Sequence, residues 1–422
     1  MLKRIYLLFV LMSFSIATSA IAGEVSSSGP IMTSITIQKA EALWLEKNHD
    51  LEHARNQIDM AKADTLSASQ RPNPQLSYNL SSVGSGRDHR YLNGSDHVVR
   101  LEQTFERGNK RELRMESADL SLKASQQYYA EFKRQSRTLL HQLYYQLLLA
   151  QEKLRITKDN AELFKKTIEA AQLKLDVGEI SQAELSRVDL DKLRADNDVM
   201  QAQNNLKQAQ VDLAFYIGEE NNASFIEASD AWPKVLEKIY QKPINIEGRA
   251  DIKAALLKIK AADANRELAR ALKKRDVTIG AQVERNSMDL ETNTIGFGIS
   301  VPLMTGYSYE GEIARAETEY QLAEHELEHL RAQATSEINK AKSDLMISEE
   351  RVLHYDDNLL KEADKVLQSA EFSYKQGAQS VMDFLDARRT YKLTQIEAMN
   401  ARYDYAKSLA AWLFLSEENP TP

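Results

Sequence analysis

Residues 109–177 read NKRELRMESADLSLKASQQYYAEFKRQSRTLLHQLYYQLLLAQEKLRITKDNAELFKKTIEAAQLKLDV, and this stretch decides the fold. It contains neither glycine nor proline, yet Gly108 and Gly178 bracket it. Leu140, Leu147, Leu154, Ala161, Ile168 and Leu175 recur at every seventh position. Leu143, Ala150, Thr157, Phe164 and Ala171 fill a second row, with one polar member at Thr157. Two such rows predict a long helix packed in coiled-coil fashion. At about 1.5 Å per residue the helix would reach roughly 100 Å. No ordinary globular core covers a rod of that length, so it must pack on other rods, and the rest of the chain has to supply them.

Composition agrees with long elements. The chain has 422 residues, enough for two or three ordinary domains, but only 15 glycines and 8 prolines to make turns. A net charge of -8 argues against nucleic acid as a partner, because that function needs a basic face. The absence of cysteine excludes disulfides, thiolate metal sites, a cysteine nucleophile and a lipidated N-terminal cysteine. Residues 1–22 read as a secretory signal. Lys3 and Arg4 precede a short apolar run, Ile5 to Ile16, and Ala20-Ile21-Ala22 is a small-x-small cleavage site before Gly23. That run is too short to span a bilayer as a helix, so the expectation is an exported chain with no helical membrane span.

Two halves of the chain repeat one layout. Residues 23–35 read as a flexible lead-in, and Thr36 to Ser69 as a helix ended by Pro72 and Pro74. Alternation of apolar and polar residues predicts strands at about 75–83 and 98–105, separated by a polar loop, before the long helix at about 109–177. Gly178 breaks that helix, and another runs over about 181–216, completing a first repeat at 23–217. Residues 218–248 carry Gly218, Pro233, Pro243 and Gly248 and read as a linker. The second repeat, 249–415, has a helix, strands at about 277–284 and 294–302, a long helix at about 308–376 and a last helix at about 381–415; a tail covers 416–422. Gly108 matches Gly306 at an offset of 198, and Gly178 matches Gly377 at 199, which points to an internal duplication.

The four strands are apolar on one side only, which in an exported protein fits a transmembrane barrel strand and, taken alone, equally fits an ordinary hairpin on a soluble core. Both hairpins sit between long rods and so emerge at one end of them. Four strands cannot close a barrel, and open edges are not tolerated in lipid. Closure requires several copies, and three would supply twelve strands with room for a lumen. The predicted class is therefore mainly α with a small β part, assembled as a trimer or larger.

At this point the chain resembles the TolC-like outer-membrane channel family over nearly its whole length. The resemblance rests on the duplicated layout and on motifs in order. They are Arg71-Pro72-Asn73-Pro74, Leu101-Glu102-Gln103-Thr104-Phe105, Gly108-Asn109-Lys110-Arg111, Val301-Pro302-Leu303-Met304-Thr305-Gly306, and the two tips Val177-Gly178-Glu179-Ile180-Ser181 and Gln376-Gly377-Ala378-Gln379-Ser380, followed by Asp383-Phe384-Leu385-Asp386-Ala387. Gly178-Glu179-Ile180-Ser181, with the Asn-Pro and Gly-Asn-Lys-Arg motifs, looks most like the heavy-metal-efflux, CzcC-like branch. The resemblance implies a homotrimer whose twelve strands form one β-barrel in outer-membrane lipid and whose helices form a periplasmic α-helical barrel. It implies the passive exit duct of a tripartite efflux pump in a Gram-negative outer membrane, with most of the chain in the periplasm. It also implies a periplasmic adaptor and an inner-membrane RND-type transporter as partners, and divalent heavy-metal cations as cargo. The tip residues Val177, Gly178, Glu179, Ser181, Gly377, Ala378 and Ser380 would meet the adaptor.

The same resemblance makes Asp383 and Asp386 a ring of carboxylates at the periplasmic constriction, with Tyr374 as an aromatic that holds the closed tip and Glu184 as an acidic partner. Gln379 stands where the archetype has arginine, so a salt-bridge latch there is replaced at most by weaker hydrogen bonds. Read without the family, Asp383 and Asp386 share a helix face at i, i+3, and Ser380-x-x-Asp383 and Ser181-x-x-Glu184 are helix-capping boxes. Two histidine pairs, His49/His53 and His325/His329, have the i, i+4 spacing of metal ligands but no third ligand nearby in sequence, so a solvated helix face is the expectation and no metal site or cofactor is assigned. No P-loop, Rossmann glycine pattern or G-x-S-x-G motif is present, so the chain is read as a non-enzyme. The same channel serving drugs or secreted proteins, and a poreless periplasmic coiled-coil scaffold or adaptor, are the alternatives.

Overall fold

The structure is a computed structural model that describes residues 33–81, 95–236, 239–241, 243–286 and 292–416. The signal-peptide reading, most of the lead-in, the loop between the first two strands together with positions 82 and 83, and the tail from 417 lie outside the described residues.

The rods are present. Helix α3 spans Lys110–Asp176, 67 residues, and α4 spans Gln182–Tyr216. The heptad row of α3 is buried at Leu140, Leu147 and Leu154. Thr157, the polar member, is buried with its hydroxyl donating to the carbonyls of Lys153 and Leu154, so it costs no unpaired donor. In the second half, α5 spans Ala250–Ala271, α6 Glu310–His354, α7 Leu360–Lys375 and α8 Val381–Ser416.

Three features differ from the sequence reading. The helix expected over 36–69 is two helices, α1 (Ile37–Lys47) and α2 (His49–Ser69). Asn48 splits them: its Oδ1 accepts from the Leu51 N–H and its Nδ2 donates to the Tyr216 carbonyl, so it caps α2 and ties the break to the end of α4. The lead-in contains a strand, β1 (Thr33–Ile35), which pairs in parallel with β4 (Ile226–Ala228) from the 218–248 segment. With Trp44, Leu140, Tyr144, Leu147 and Leu213 this small sheet forms an apolar core halfway along α3.

The third difference lies in the long helix expected over 308–376. It starts at Glu310 and is interrupted by one π-helical turn, Tyr355–Leu359, between α6 and α7. The wider turn advances the buried face by one residue. The seam runs through Leu345 and Val352, but Val366 is exposed, and Leu367, Ala370 and Tyr374 carry the packing below the turn.

The remaining strands are β2 (Gln75–Ser81), β3 (Asp96–Phe105), β5 (Val277–Asn286) and β6 (Thr292–Ser300). They form one antiparallel sheet in the order β2-β3-β5-β6, so the two hairpins join through β3 and β5 and leave β2 and β6 as open edges.

Candidate functional site

The sheet is the first functional surface. Its register aligns apolar residues in rows across all four strands: Tyr78, Val99, Val283 and Ile295 in one, Leu76, Leu101, Ala281 and Phe297 in the next. These side chains are left uncovered by the described residues. Phe297 is 84% exposed, Leu76 73% and Ile295 72%. A continuous apolar face of that kind marks a missing partner or a missing bilayer. The opposite side is polar. Arg100 donates through Nε and Nη2 to Gln282 Oε1 at 3.0 and 2.6 Å and approaches Glu102 at 3.4 Å. A Cβ at Gly280 or Gly296 would meet the stems of Glu102 or Gln282 at 3.0 Å, so glycine leaves room for those side chains. Among the described residues no helix is long and apolar enough to cross a membrane.

The second surface is the far end of the rods, where the two halves make the same turn. At the first tip the Gly178 N–H donates to the Leu175 carbonyl and the Glu179 N–H to that of Lys174; at the second, Gly377 and Ala378 donate to Tyr374 and Ser373. This is the Schellman closure, and it requires a left-handed residue after the helix: Gly178 has φ +79° and Gly377 φ +72°. Ser181 and Ser380 then cap the next helices. Ser181 and Glu184 form a complete capping box, whose hydrogen bonds from the Ser181 N–H and hydroxyl hold the Glu184 carboxyl below the usual carboxylate range. Ser380 caps through its hydroxyl, accepting from the Asp383 N–H at 3.2 Å and donating to Asp383 Oδ2 at 2.8 Å.

The expected gate residues fall into two groups. Asp383 and Asp386 are exposed on one side of α8, and Asp386 makes no hydrogen bond or ion pair among the described residues. Gln379 is exposed on the turn, and no hydrogen bond joins Glu184 or Gln379 to either aspartate within the chain. Val177, Gly178, Glu179, Ser181, Gly377, Ala378 and Ser380 are all exposed. Tyr374 instead faces inward. Its ring stacks on Phe384, Lys174 Nζ sits 4.8 Å from its centroid, and its hydroxyl has no hydrogen-bond partner.

Sequence reasoning missed the group beneath. Arg388 is 6% exposed, its guanidinium 4.7 Å from the Phe384 ring centre and 5.9 Å from that of Phe164. Nη1 donates to Thr167 Oγ1 at 3.1 Å, while Nε has no partner. Burial lowers its proton affinity. The available signal was its place four residues after Phe384, on the buried face. Farther along α8, Arg389 reaches Asp191 at 3.3 Å and Lys392 reaches Asp198 at 2.6 Å, joining α8 to α4.

The histidine pairs stay on solvated faces. His49, His53, His325 and His329 are exposed, and no group of three or more histidine and carboxylate side chains placed to hold a metal occurs among the described residues.

Known proteins share this arrangement. Residues 42–219 and 245–414 match the family described as Outer membrane efflux protein. The cobalt-zinc-cadmium resistance protein CzcC of Cupriavidus metallidurans is 22% identical over 370 residues, covering 86% of this chain and 84% of that protein. The outer membrane protein VceC of Vibrio cholerae superposes with a TM-score of 0.74 at 19% identity, over 90% of this chain and 96% of that one. CusC, described for its transmembrane channel formation, gives 0.75 at 18% identity over 92% and 93%. Two matched blocks, one in each half of the duplicated chain, make this protein a member of the outer membrane efflux protein family.

Proposed function

We propose that the protein is the outer-membrane exit channel of a tripartite efflux pump, a passive conduit driven by an inner-membrane transporter and coupled to it by a periplasmic adaptor. The observation that carries this reading is the four-stranded sheet with one uncovered apolar face and two open edges, set on the end of long rods. Lipid satisfies the face but not the edges. Pairing β6 of one copy with β2 of the next removes every edge, and three copies give twelve strands around a water-filled lumen. The exposed turns at Gly178 and Gly377 are then the adaptor-facing end, and Asp383 and Asp386 from three copies form the acidic constriction.

Divalent heavy-metal cations are the proposed cargo. The support is the likeness to CzcC, whose name specifies cobalt, zinc and cadmium resistance, together with the exposed carboxylates of α8. A conduit that binds its cargo loosely needs no closed ligand shell.

Membrane fractionation tests the channel reading: the protein should travel with the outer membrane and run on a gel as a heat-sensitive trimer. A stable monomer in the soluble periplasmic extract would end it. Deletion of the gene followed by growth on zinc, cadmium, cobalt, copper and antibiotics tests the cargo. Sensitivity confined to antibiotics would remove the metal reading and leave the channel.

A further inference from the structure

The helix end of the sheet is bordered by cations. Val99, Leu101 and Phe105 of β3 lie on the apolar side of the sheet, as do Val277, Ile279 and Val283 of β5, and Phe105 pairs with Val277 at the helix end of the ladder. Arg107 lies two residues after Phe105 and Arg275 two before Val277, so both stand at the helix end of the two central strands, just past the last apolar pair. Lys274 lies against the β3–α3 turn: its Cδ is 2.6 Å and its Cβ 3.0 Å from where a Cβ on Gly108 would stand. All three side chains are exposed.

The carboxylates around them are committed elsewhere. Asp276 Oδ1 accepts from Lys110 Nζ at 2.8 Å and from the Arg107 backbone N–H at 2.9 Å. Glu106 holds Arg114 through two bonds of 2.8 and 3.2 Å. The side chains of Arg107, Lys274 and Arg275 have no hydrogen bond or ion pair among the described residues. Three exposed cations without a partner among the described residues thus border the uncovered apolar surface.

We propose that Arg107, Lys274 and Arg275 form a collar that holds the phosphate groups of anionic glycerophospholipids in the leaflet nearest the helices. The proposal rests on the membrane reading of the sheet. With the apolar rows in hydrocarbon, the next residues along both central strands stand at headgroup depth. Long stems there stay on apolar surface while their charges reach the phosphates. Each engaged cation favours an anionic over a zwitterionic neighbour by about fivefold at low salt.

The test uses the full-length protein reconstituted in vesicles, with a Leu303→Trp reporter. Leu303 is 74% exposed just beyond β6, whereas Trp44, Trp232 and Trp412 all pack in helical cores. Quenching of the reporter is measured in mixtures where either phosphatidylglycerol or phosphatidylcholine carries bromine. The expected result is preferential quenching by brominated phosphatidylglycerol, by about fivefold or more, weakening with salt. Combined Arg107→Gln, Lys274→Gln and Arg275→Gln substitutions should abolish the preference while quenching by phosphatidylcholine persists. Arg107→Lys with Arg275→Lys should retain it. Equal quenching by both lipids, or a preference untouched by neutralisation, overturns the collar alone. A reporter that neither lipid quenches overturns the membrane reading, and the collar with it.

Discussion

The rings of Tyr374 and Phe384 lie parallel, 1° apart, with centroids 5.2 Å from each other, and so bind α7 to α8 across the Gly377 turn. The stack is buried and makes the second tip one packed unit. Phe384→Ala removes one ring and leaves a void at the centre of that unit. The expected loss is about 3–5 kcal/mol, seen as a lower melting midpoint and faster proteolysis at the tip. Tyr374→Phe keeps both rings and removes a hydroxyl that has no partner. It should leave stability unchanged or raise it by about 1 kcal/mol. A marked loss from Tyr374→Phe would mean that the hydroxyl, and not the stack, holds the tip, through a group from a neighbouring copy.

Arg388 is a buried cation with aromatic rings and a threonine around it but, among the described residues, no carboxylate at ion-pair distance. Its stem packs while its charge is poorly compensated, so the two contributions separate by substitution. Arg388→Met keeps most of the stem and discards the charge, and should raise the melting midpoint or leave it unchanged. Arg388→Ala discards both and should lower stability by about 2 kcal/mol or more. If Met is as damaging as Ala, the bond to Thr167 and the cation–ring contacts outweigh the burial of the charge.

Asp383 and Asp386 lie on an exposed side of α8 within two turns of the tip, one turn apart. In the proposed trimer their six carboxylates concentrate cations at the constriction. Asp383→Asn with Asp386→Asn should weaken block by multivalent cations added from the tip side by about tenfold or more. Trimer assembly should be unaffected, because neither side chain packs in a core. Unchanged block in planar bilayers would remove the acidic ring from the gating account.

The fold class was legible because two simple periods carry it. Repeats of seven in a glycine-free stretch marked the rods, and alternation marked four one-sided strands whose uncovered faces need a partner or a bilayer. The rest was hidden where a long-range partner, not a local pattern, decides the structure. Asn48 ends a helix because it reaches Tyr216, 168 residues away. Thr33–Ile35 is a strand only because Ile226–Ala228 lies beside it. The π turn at Tyr355 leaves no mark in composition, yet it moves Val366 out of the seam that heptad counting assigned to it. At the tip, motif order located the turns and the exposed aspartates. It did not reveal Arg388, because an arginine on an apolar helix face reads as polar until Phe164 and Phe384 are placed around it.

Glu41 supplies an acid-sensitive joint at the middle of the rods. Burial alone would raise its carboxyl, but His141 Nε2 at 2.6 Å and Arg137 Nε at 2.8 Å overcome that and hold it at about 2, against 4.5 for a free glutamate. Arg137 in turn lies 4.4 Å from the centre of the Phe414 ring, so the cluster joins α1, α3 and α8. A depressed carboxyl stabilises the folded chain in its ionised form. That contribution is complete above about pH 4.5 and fades as the pH falls through about 2. Allowing for its partial exposure, it is on the order of 2 kcal/mol. Glu41→Gln should therefore lower stability at neutral pH by that amount and flatten the acid limb of the stability profile between pH 4.5 and 2, leaving the neutral and alkaline limbs parallel to wild type. An acid limb of unchanged slope in the variant would show that other carboxylates govern acid unfolding and that this cluster is not the joint.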